Sequence, residues 1–390
     1  MTIGIDKIGF ATSQYVLKLQ DLAEARGVDP DKYSKGLLLN EISIAPLTED
    51  VITLAASASN SILAEKEKEE IDMVIVATES GIDQSKAAAV FVHGLLGIQP
   101  FARSFEIKEA CYGATAALHY AKLHVENSPE SKVLVIASDI VKYGVATPGE
   151  PTQGAGSVVM LIAQNPRIMA FNNDNVAQTR DIMDFWRPNY STTPYVNGLY
   201  STQQYLDSLT TTWDEYKKRY DWTMNDFAAI CFHLPYPKLA LKGLRKMMDK
   251  TLPQEKKDSL QENFDKSILY SQMIGNIYTG SLFLGLLSLL ENAENLKAGD
   301  KIVLYSYGSG AVSEFFSGEL VEGYVTYLDK DRLTKLKQRT ALSVVDYEKV
   351  FFEEVELDES GSAQFAGFEN QDYALVEIVD HQRRYSKVEK

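Results

Sequence analysis

Cysteine is scarce in this sequence: Cys111 and Cys231 are the two examples, and they are far apart along the chain. No CxxC pair or cluster of cysteine and histidine is present, so the spacing predicts no zinc site. A cytoplasmic protein with reduced thiols is the simplest interpretation, because stable disulfides form mainly outside the cytoplasm. Long apolar runs are lacking too. The richest, SLFLGLLSLL, is too short to span a membrane, and the N-terminus has no signal-peptide pattern.

Positive charge is also in deficit. With 39 lysines and arginines against 54 aspartates and glutamates, the formal net charge is −15, which argues against binding to a nucleic-acid backbone. An anionic small molecule can still be a substrate if basic residues are gathered locally. The 390 residues can bury a large core, and on length alone they could form two or three domains.

Strand and helix patterns alternate along the first half of the chain. Short apolar runs rich in branched residues predict buried strands at 72–78, 103–107, 132–139 and 157–163. Helical spacing at 84–97 and the alanine-rich segment CYGATAALHYAKLHVEN predict helices between them. Strands joined through helices imply parallel pairing and therefore an α/β fold.

The second half repeats this plan, with strands predicted at 227–233 and 301–308 and helices at about 236–249 and 276–293. The segments CYGATAAL and IYTGSLFL align in character, and the similar strands KVLVIASD and KIVLYSYG follow them. This indicates two copies of one α/β unit, with chance similarity between two apolar helices as the alternative. Residues 171–200 are expected to form a long loop that covers something, because long loops in compact domains are usually functional.

Cys111 stands at a strand-to-helix junction, between FEIKEA and YGATAAL. A thiol there meets the positive end of the helix dipole and the free amides of the first turn, and both favour the thiolate, which is the nucleophile. The small residues that follow leave room for a substrate. From position alone, an inert cysteine buried in the core is an equally good interpretation.

Two titratable residues close predicted strands at corresponding places in the two halves. His233 follows the strand AAICF, and Glu79 follows DMVIVAT. The carboxyl end of a parallel strand points into the crevice where α/β proteins bind ligands. A carboxylate there is poorly solvated, so the pKa of Glu79 should rise towards values useful for general acid/base catalysis. A structural histidine and a solvated loop carboxylate are the alternatives.

Basic residues gather after His233. Lys238, Lys242, Arg245 and Lys246 have spacings that place them on one face of a helix, where they could bind the phosphates of a nucleotide-bearing substrate. An ordinary solvated face is the alternative, above all for Lys246. Further on, the sequence Gly-Ser-Gly at 308–310 follows a strand and can turn backbone amides towards a ligand, although such tripeptides are common in loops.

Taken together, these elements resemble the thiolase superfamily and, within it, the hydroxymethylglutaryl-CoA synthases of the bacterial mevalonate type. The resemblance covers nearly the whole chain and is carried, in order, by VATESGIDQSKAAA, RSFEIKEACYGATAAL, GEPTQGAGSV, DFWRP, FHLPYPK, GNIYTGSL and YGSGAVSEFF. It implies a five-layered α-β-α-β-α fold of two related halves, here 1–166 and 167–390, and a homodimer.

The resemblance also implies roles for matching positions. Cys111, in EACYGAT, takes the acetyl group of acetyl-CoA; Glu79, in TES, is the general acid/base; and His233, in FHxPY, binds the acetoacetyl thioester and assists proton movement. The further positions that match substrate contacts are Thr152, Ser201, Asn276 and Ser309 for the acyl portion, Lys242 for CoA, and Asp29. The implied reaction condenses acetyl-CoA with acetoacetyl-CoA and water to give hydroxymethylglutaryl-CoA (HMG-CoA) and CoA, without a metal or redox cofactor.

Two other functions compete with this one. A sister enzyme with the same cysteine, histidine and glutamate carries out β-branching on acyl-carrier-protein substrates in polyketide synthesis, and the basic helix would suit an acidic carrier protein as well as a CoA phosphate. A non-catalytic thiolase-fold binding subunit is the other alternative. The joint retention of Cys111, His233 and Glu79 argues strongly against it.

Overall fold

The structure of the protein is a computed structural model that describes residues 2–389. Its strands, numbered in chain order, are β1 Ile3–Ala11, β2 Tyr15–Lys18, β3 Glu41–Ile44, β4 Ile71–Ala77, β5 Arg103–Ile107, β6 Lys132–Val141, β7 Gly154–Gln164, β8 Met169–Phe171, β9 Val176–Thr179, β10 Phe185–Trp186, β11 Tyr195–Val196, β12 Ala229–Phe232, β13 Lys301–Gly308, β14 Val312–Leu320, β15 Thr340–Ala341, β16 Ala363–Gln364, β17 Tyr373–Val379 and β18 Gln382–Lys387.

The α-helices are numbered in the same way. They are α1 Leu19–Ala25, α2 Asp31–Ser34, α3 Val51–Asn60, α4 Glu65–Lys68, α5 Ala88–Leu96, α6 Gly113–Asn127, α7 Gly198–Tyr220, α8 Pro237–Met247, α9 Gln254–Ser267, α10 Ser271–Ile274, α11 Ser281–Asn292, α12 Arg332–Lys337 and α13 Val344–Phe352.

Most of the large strands join one mixed sheet, in the order β12-β13-β14-β8-β1-β7-β6-β4-β5, with β9 paired to β14. In the first half β4 and β6 are parallel, and β7 returns antiparallel to β6. In the second half β12 and β13 are parallel, and β14 returns antiparallel to β13. The predicted parallel pairing is therefore right for the strands that helices connect, whereas each half also contains a strand that turns straight back.

Alternate side chains along each strand pack into different layers of the protein. On β4, Met73 and Ile75 pack into a central core with helices α6 and α11, whereas Val74 and Val76 face α3 and α5. In the second half, the opposite face of β13, including Tyr305, packs against α7, α8 and α9. Since neighbouring side chains on a strand point to opposite faces, the two parts of the sheet lie between three helical layers. This is the five-layered order expected from the sequence.

The apolar segment SLFLGLLSLL forms most of α11, in the central layer, and its residues from Ser281 to Leu290 are all buried. A helix that is apolar on every side needs burial on every side, and the central layer provides it. Among residues 2–389, no helix is long and apolar enough to cross a membrane.

Candidate active site

Cys111 lies in a tight turn between β5 and α6, held by the end of β13. Ala110, just before it, has the left-handed backbone angle φ = +40°. A Cβ atom at Gly308 would lie 2.7 Å from Tyr112 Cβ and 2.8 Å from the carbonyl oxygen of Glu109, so only glycine allows this approach. The turn that carries the thiol is thus fixed from the second half of the chain.

The Cys111 thiol contacts Glu79, the residue to which the resemblance assigns the general acid/base role. Cys111 Sγ donates a hydrogen bond to Glu79 Oε1 over 2.9 Å. Burial raises the pKa of Glu79 to about 8, and the charge of Asp139 adds to the effect. The predicted rise at this carboxylate is confirmed.

The expected lowering of the thiol pKa is wrong. Burial raises the pKa of Cys111 well above its usual value, and the nearby carboxylate of Glu79 raises it further. Helix α6 begins only at Gly113, so the thiol stands before the first helical turn. Desolvation and a carboxylate at hydrogen-bond distance outweigh the helix terminus here. In the resting site the sulfur therefore keeps its proton.

Asp139 anchors the Glu79 segment and is a residue that the sequence analysis missed. Its carboxylate is fully buried at the end of β6 and accepts the backbone N–H of Glu79 at 2.7 Å. It also accepts the hydroxyls of Thr78 at 2.9 Å and of Thr279 at 2.5 Å. Burial raises the pKa of Asp139 to about 6. The sequence could have pointed to Asp139, because this aspartate ends a predicted apolar strand just as Glu79 does.

A hairpin covers the site. In it, Trp186 of β10 stacks on Tyr195 of β11, with ring centroids 5.7 Å apart, and Arg187 donates a hydrogen bond to the backbone carbonyl of Glu79. The covering loop predicted at 171–200 is therefore present from about residue 180 onwards. For the first part of this range the prediction is wrong, because residues 176–179 form a strand that pairs with β14.

His233 follows β12 and is 2 % exposed. Its backbone N–H donates to the carbonyl of Tyr305 at 2.7 Å, and its carbonyl accepts the hydroxyl of Tyr205 at 2.9 Å. Within residues 2–389 its Nδ1 has no hydrogen-bond partner. Burial lowers the pKa of His233 to about 3, so the imidazole is neutral near pH 7. A neutral ring can donate one hydrogen bond to a substrate oxygen.

Asn276 and Thr152, which come from different halves, are joined directly. The backbone N–H of Asn276 donates to the carbonyl of Thr152 at 3.1 Å, and its side-chain amide donates to the hydroxyl of Tyr143 at 3.0 Å. Burial raises the pKa of Tyr143, and its neighbours Cys111 and Glu79 add to this rise. This polar group therefore lies within electrostatic range of the Cys111–Glu79 pair.

Ser309 follows Gly308, the glycine that meets the Cys111 turn. The next residue, Gly310, donates its N–H to buried Asp184 at 2.9 Å, and Tyr307 donates its hydroxyl to the same carboxylate at 2.7 Å. The turn with Ser309 is therefore held beside the nucleophile, in agreement with its predicted place. Asp184 lies in the DFWRP segment, where the sequence analysis assigned it no role.

Three predicted binding residues lie on the surrounding elements. Ser201 is in the first turn of α7, Lys242 is exposed on α8, and Asp29 is exposed before α2, where its carboxylate accepts the N–H of Asp31 at 2.9 Å. In the part of the chain that the structure describes, no hydrogen bond or ion pair joins them to Glu79 or Cys111. Their predicted roles concern a bound substrate and stay predictions.

The basic face of α8 is present as expected. Of the four predicted residues, Lys242, Arg245 and Lys246 are exposed and Lys238 is half-buried. Leu241 and Leu244 are buried on the opposite side. None of these three cations takes part in an ion pair within residues 2–389. They form a free positive patch on an otherwise acidic protein.

Sequence models of one family match almost the whole chain. The model described as "Hydroxymethylglutaryl-coenzyme A synthase N terminal" matches residues 2–167. The model described as "Hydroxymethylglutaryl-coenzyme A synthase C terminal" matches residues 175–265 and 245–385.

Curated relatives include both substrate types. The hydroxymethylglutaryl-CoA synthase of Enterococcus faecalis is 53 % identical over 360 residues, which cover 92 % of this chain and 94 % of that protein. The polyketide biosynthesis 3-hydroxy-3-methylglutaryl-ACP synthase of Bacillus subtilis is 30 % identical over 374 residues, which cover 90 % and 88 %.

Solved structures that resemble this chain point to the same family. A crystal structure of an HMG-CoA synthase complexed with CoA is 67 % identical, with a TM-score of 0.98 over 100 % of both chains. A protein named MvaS, in complex with 3-hydroxy-3-methylglutaryl coenzyme A, is 31 % identical, with a TM-score of 0.87 over 100 % of this chain and 99 % of that one. With its thiolase-like fold, its paired Cys111 and Glu79 and these matches along its length, the chain belongs to the hydroxymethylglutaryl-CoA synthase family.

Proposed function

We propose that this protein is a hydroxymethylglutaryl-CoA synthase of the mevalonate, or isoprenoid, pathway, which joins acetyl-CoA to acetoacetyl-CoA through an acetyl thioester on Cys111. The 2.9 Å contact between the Cys111 thiol and the Glu79 carboxyl group carries the proposal. Identity of 53 % to a CoA-dependent relative, against 30 % to a carrier-protein-dependent one, favours CoA thioesters as substrates. Because the mechanism needs a reduced Cys111, a cytoplasmic location is part of the proposal.

Acylation of Cys111 comes first. The Cys111 thiol gives up its proton to solvent, and the thiolate attacks the carbonyl carbon of acetyl-CoA. The tetrahedral intermediate collapses, the bond to the CoA sulfur breaks, and CoA leaves as a thiolate that takes up a proton from solvent. We assign Ser309 to the thioester oxygen, because its turn lies against the Cys111 turn through Gly308.

Condensation and hydrolysis follow. The Glu79 carboxylate removes a proton from the methyl group of the acetyl thioester, and the enolate attacks C3 of acetoacetyl-CoA. Neutral His233 donates a hydrogen bond to the developing alkoxide, which then receives the proton held by Glu79. Asn276 and Thr152 contact the acyl portion. Water cleaves the Cys111 thioester and releases HMG-CoA. These steps transfer acyl groups and protons only, and we propose no metal or redox cofactor.

The test of this function is product identification with wild-type protein. Labelled acetyl-CoA alone should label the protein, and added acetoacetyl-CoA should yield HMG-CoA, identified by its mass. A parallel reaction with acetoacetyl acyl-carrier protein should give little product. A strong preference for the carrier protein would instead assign the enzyme to β-branching, and absence of both products would refute the proposal.

Lys242 is proposed to bind a CoA phosphate, with Asp29 and Ser201 contacting the rest of the bound thioester. Lys242→Ala should weaken binding of CoA thioesters by roughly tenfold or more, the value of one charge-assisted hydrogen bond of about 1.5–3 kcal/mol. Added salt should weaken the wild type in the same direction, because the cation is exposed. Isothermal titration with acetyl-CoA measures the effect.

Two controls separate this role from a general change in charge. Lys246→Ala removes an equal charge from the same helix and should change affinity far less. Acetyl-pantetheine lacks the nucleotide phosphates, so Lys242→Ala should leave its binding unchanged. An equal loss for acetyl-CoA and acetyl-pantetheine would place the action of Lys242 elsewhere.

A homodimer is also part of the proposal. Within residues 2–389, strand β5 ends the large sheet and pairs there with β4 alone. Beside it, Phe101 is 91 % exposed, and Tyr120 and Leu123 of α6 are 48 % and 62 % exposed. Tyr120 packs on Phe105 of β5, with ring centroids 5.5 Å apart, so the apolar patch borders the open edge. A second copy of the chain can pair with the strand and cover the patch.

Sedimentation velocity tests the dimer. Wild-type protein should sediment as a dimer, and Phe101→Lys combined with Leu123→Lys should shift it to the monomer, because charges would be buried without partners. Phe352→Lys changes a side chain that is 65 % exposed on α13 and should leave the dimer intact. A monomeric wild type, or a double variant that stays dimeric, would contradict this interface.

A further inference from the structure

A buried carboxylate outside the catalytic group contacts the residue that follows the nucleophile. Glu314 of β14 is 1 % exposed. Its Oε1 lies 2.5 Å from Nε2 of His119, and its Oε2 accepts the hydroxyl of Tyr112 at 2.6 Å. Tyr112 is the residue after Cys111, and the mechanism above uses none of these three side chains.

The contacts lie along one face of α6. Tyr112, Thr115 and His119 are three and four residues apart, so their side chains point to the same side of the helix. Thr115 donates its hydroxyl to Ser306 of β13 at 2.8 Å. The first two turns of α6 are thus docked on β13 and β14 by polar contacts. The contact of Tyr112 is the one next to the reactive turn.

The turn needs such a restraint. Ala110 has φ = +40°, a conformation that costs energy for a residue with a side chain and persists only where the surroundings impose it. Close approach by Gly308 holds one side of Tyr112, and the hydrogen bond to Glu314 holds its far end. Without that second contact the tyrosine ring, and the Cys111 backbone with it, gains freedom to move.

We propose that His119, Glu314 and Tyr112 form a positioning array that sets the Cys111 sulfur for acylation. Glu314 accepts the Tyr112 hydroxyl, and His119 places a ring nitrogen in contact with the other oxygen of this buried carboxylate, without the geometry of a hydrogen bond. His119 remains partly exposed, with 31 % of its side chain accessible, and it packs on Phe316 with ring centroids 5.8 Å apart. The inference rests on the proposed function, because acylation of Cys111 is the step that the array serves.

The array makes a distinct kinetic prediction. His119→Phe keeps a ring against Phe316 and removes the nitrogen that contacts Glu314 Oε1. The rate of Cys111 acetylation should therefore fall roughly tenfold to a hundredfold, as it does when reacting groups are slightly displaced. The affinity for acetyl-CoA should be unchanged, because the array lies behind the nucleophile. His119→Gln keeps an N–H donor and should recover most of the rate.

A double-variant cycle separates positioning from simple destabilisation. Tyr112→Phe removes the hydroxyl that Glu314 holds and should slow acetylation to a similar degree. Once that link is gone, adding His119→Phe should change the rate no further, since both act through one carboxylate. If the two losses multiply instead, His119 does not act through Tyr112 and the proposal is overturned.

The matched control is His124→Phe. His124 is on the same helix and pairs with Asp72, with its Nε2 3.2 Å from Oδ2, so its loss tests the cost of breaking a histidine–carboxylate pair away from the turn. Its acetylation rate should equal that of the wild type. Labelling of wild-type Cys111 is measured in the same experiment. No labelling there would refute the proposed function, whereas normal labelling of both wild type and His119→Phe would refute the array alone.

Discussion

Cys111→Ser is expected to form almost no acyl-enzyme from acetyl-CoA and to lose condensation by roughly 10⁴-fold or more, as loss of a covalent nucleophile does elsewhere. An alcohol in place of the thiol is much harder to ionise, and its neighbour Glu79, with a pKa of about 8, is too weak a base to compensate. The measurement is retention of acetyl label on denatured protein, followed by peptide mapping.

Cys231 is the internal control for this result. It is fully buried in β12, and burial alone raises the pKa of its thiol. Cys231→Ala should therefore keep its acetyl-enzyme, with the label on the peptide that contains Cys111. Label on the Cys231 peptide of the wild type, or stable acetylation of Cys111→Ser at the normal rate, would remove Cys111 from the proposed role.

Glu79→Gln is expected to separate the two half-reactions. Condensation should fall by about 10²–10⁴-fold, because no positioned base remains to deprotonate the acetyl methyl group. Acetylation should persist, because the charge of Glu79 raises the pKa of Cys111 and its removal makes the thiolate easier to form. Rapid-quench acetylation and steady-state condensation on one preparation measure both steps.

The pH dependence gives a second measure of the same residue. Glu79 acts as a base only when ionised, so condensation by the wild type should rise as the pH passes upward through about 8 and then level off. In Glu79→Gln this limb should disappear from the residual rate. If Glu79→Gln lost acetylation to the same degree as condensation, the main role of Glu79 would be to activate Cys111. The assignment of Glu79 to condensation alone would then be wrong.

The sequence predicted the individual strands and helices better than it predicted how the strands pair. The strand at 301–308 and the helix at 236–249 agree with β13 and, within two residues at each end, with α8. The antiparallel return of β7 and β14 was missed, because alternation of strands and helices carries no signal for strands that pair without a crossover. Strand β9 was taken for loop, since its pairing partner, β14, lies more than a hundred residues further along the chain.

The sequence by itself determined which residues are candidates for the reaction and where they stand. Cys111 at a strand-to-helix junction, Glu79 and His233 at strand ends, and the free basic face with Lys242 all follow from residue type and local spacing. These properties are local, so they survive in a linear sequence. Their agreement with seven family segments in order then indicated the reaction.

Only the tertiary structure decided the charge states of Cys111 and His233. The sequence favoured a thiolate at Cys111, yet burial and the contact with Glu79 keep the thiol protonated. Asp139 reaches Glu79 across 60 positions of the chain, and burial alone makes His233 neutral. A pKa depends on solvent exclusion and on charges within a few ångströms. Both depend on how distant segments pack together, so the local pattern predicted the right direction of the pKa shift for Glu79 and the wrong one for Cys111.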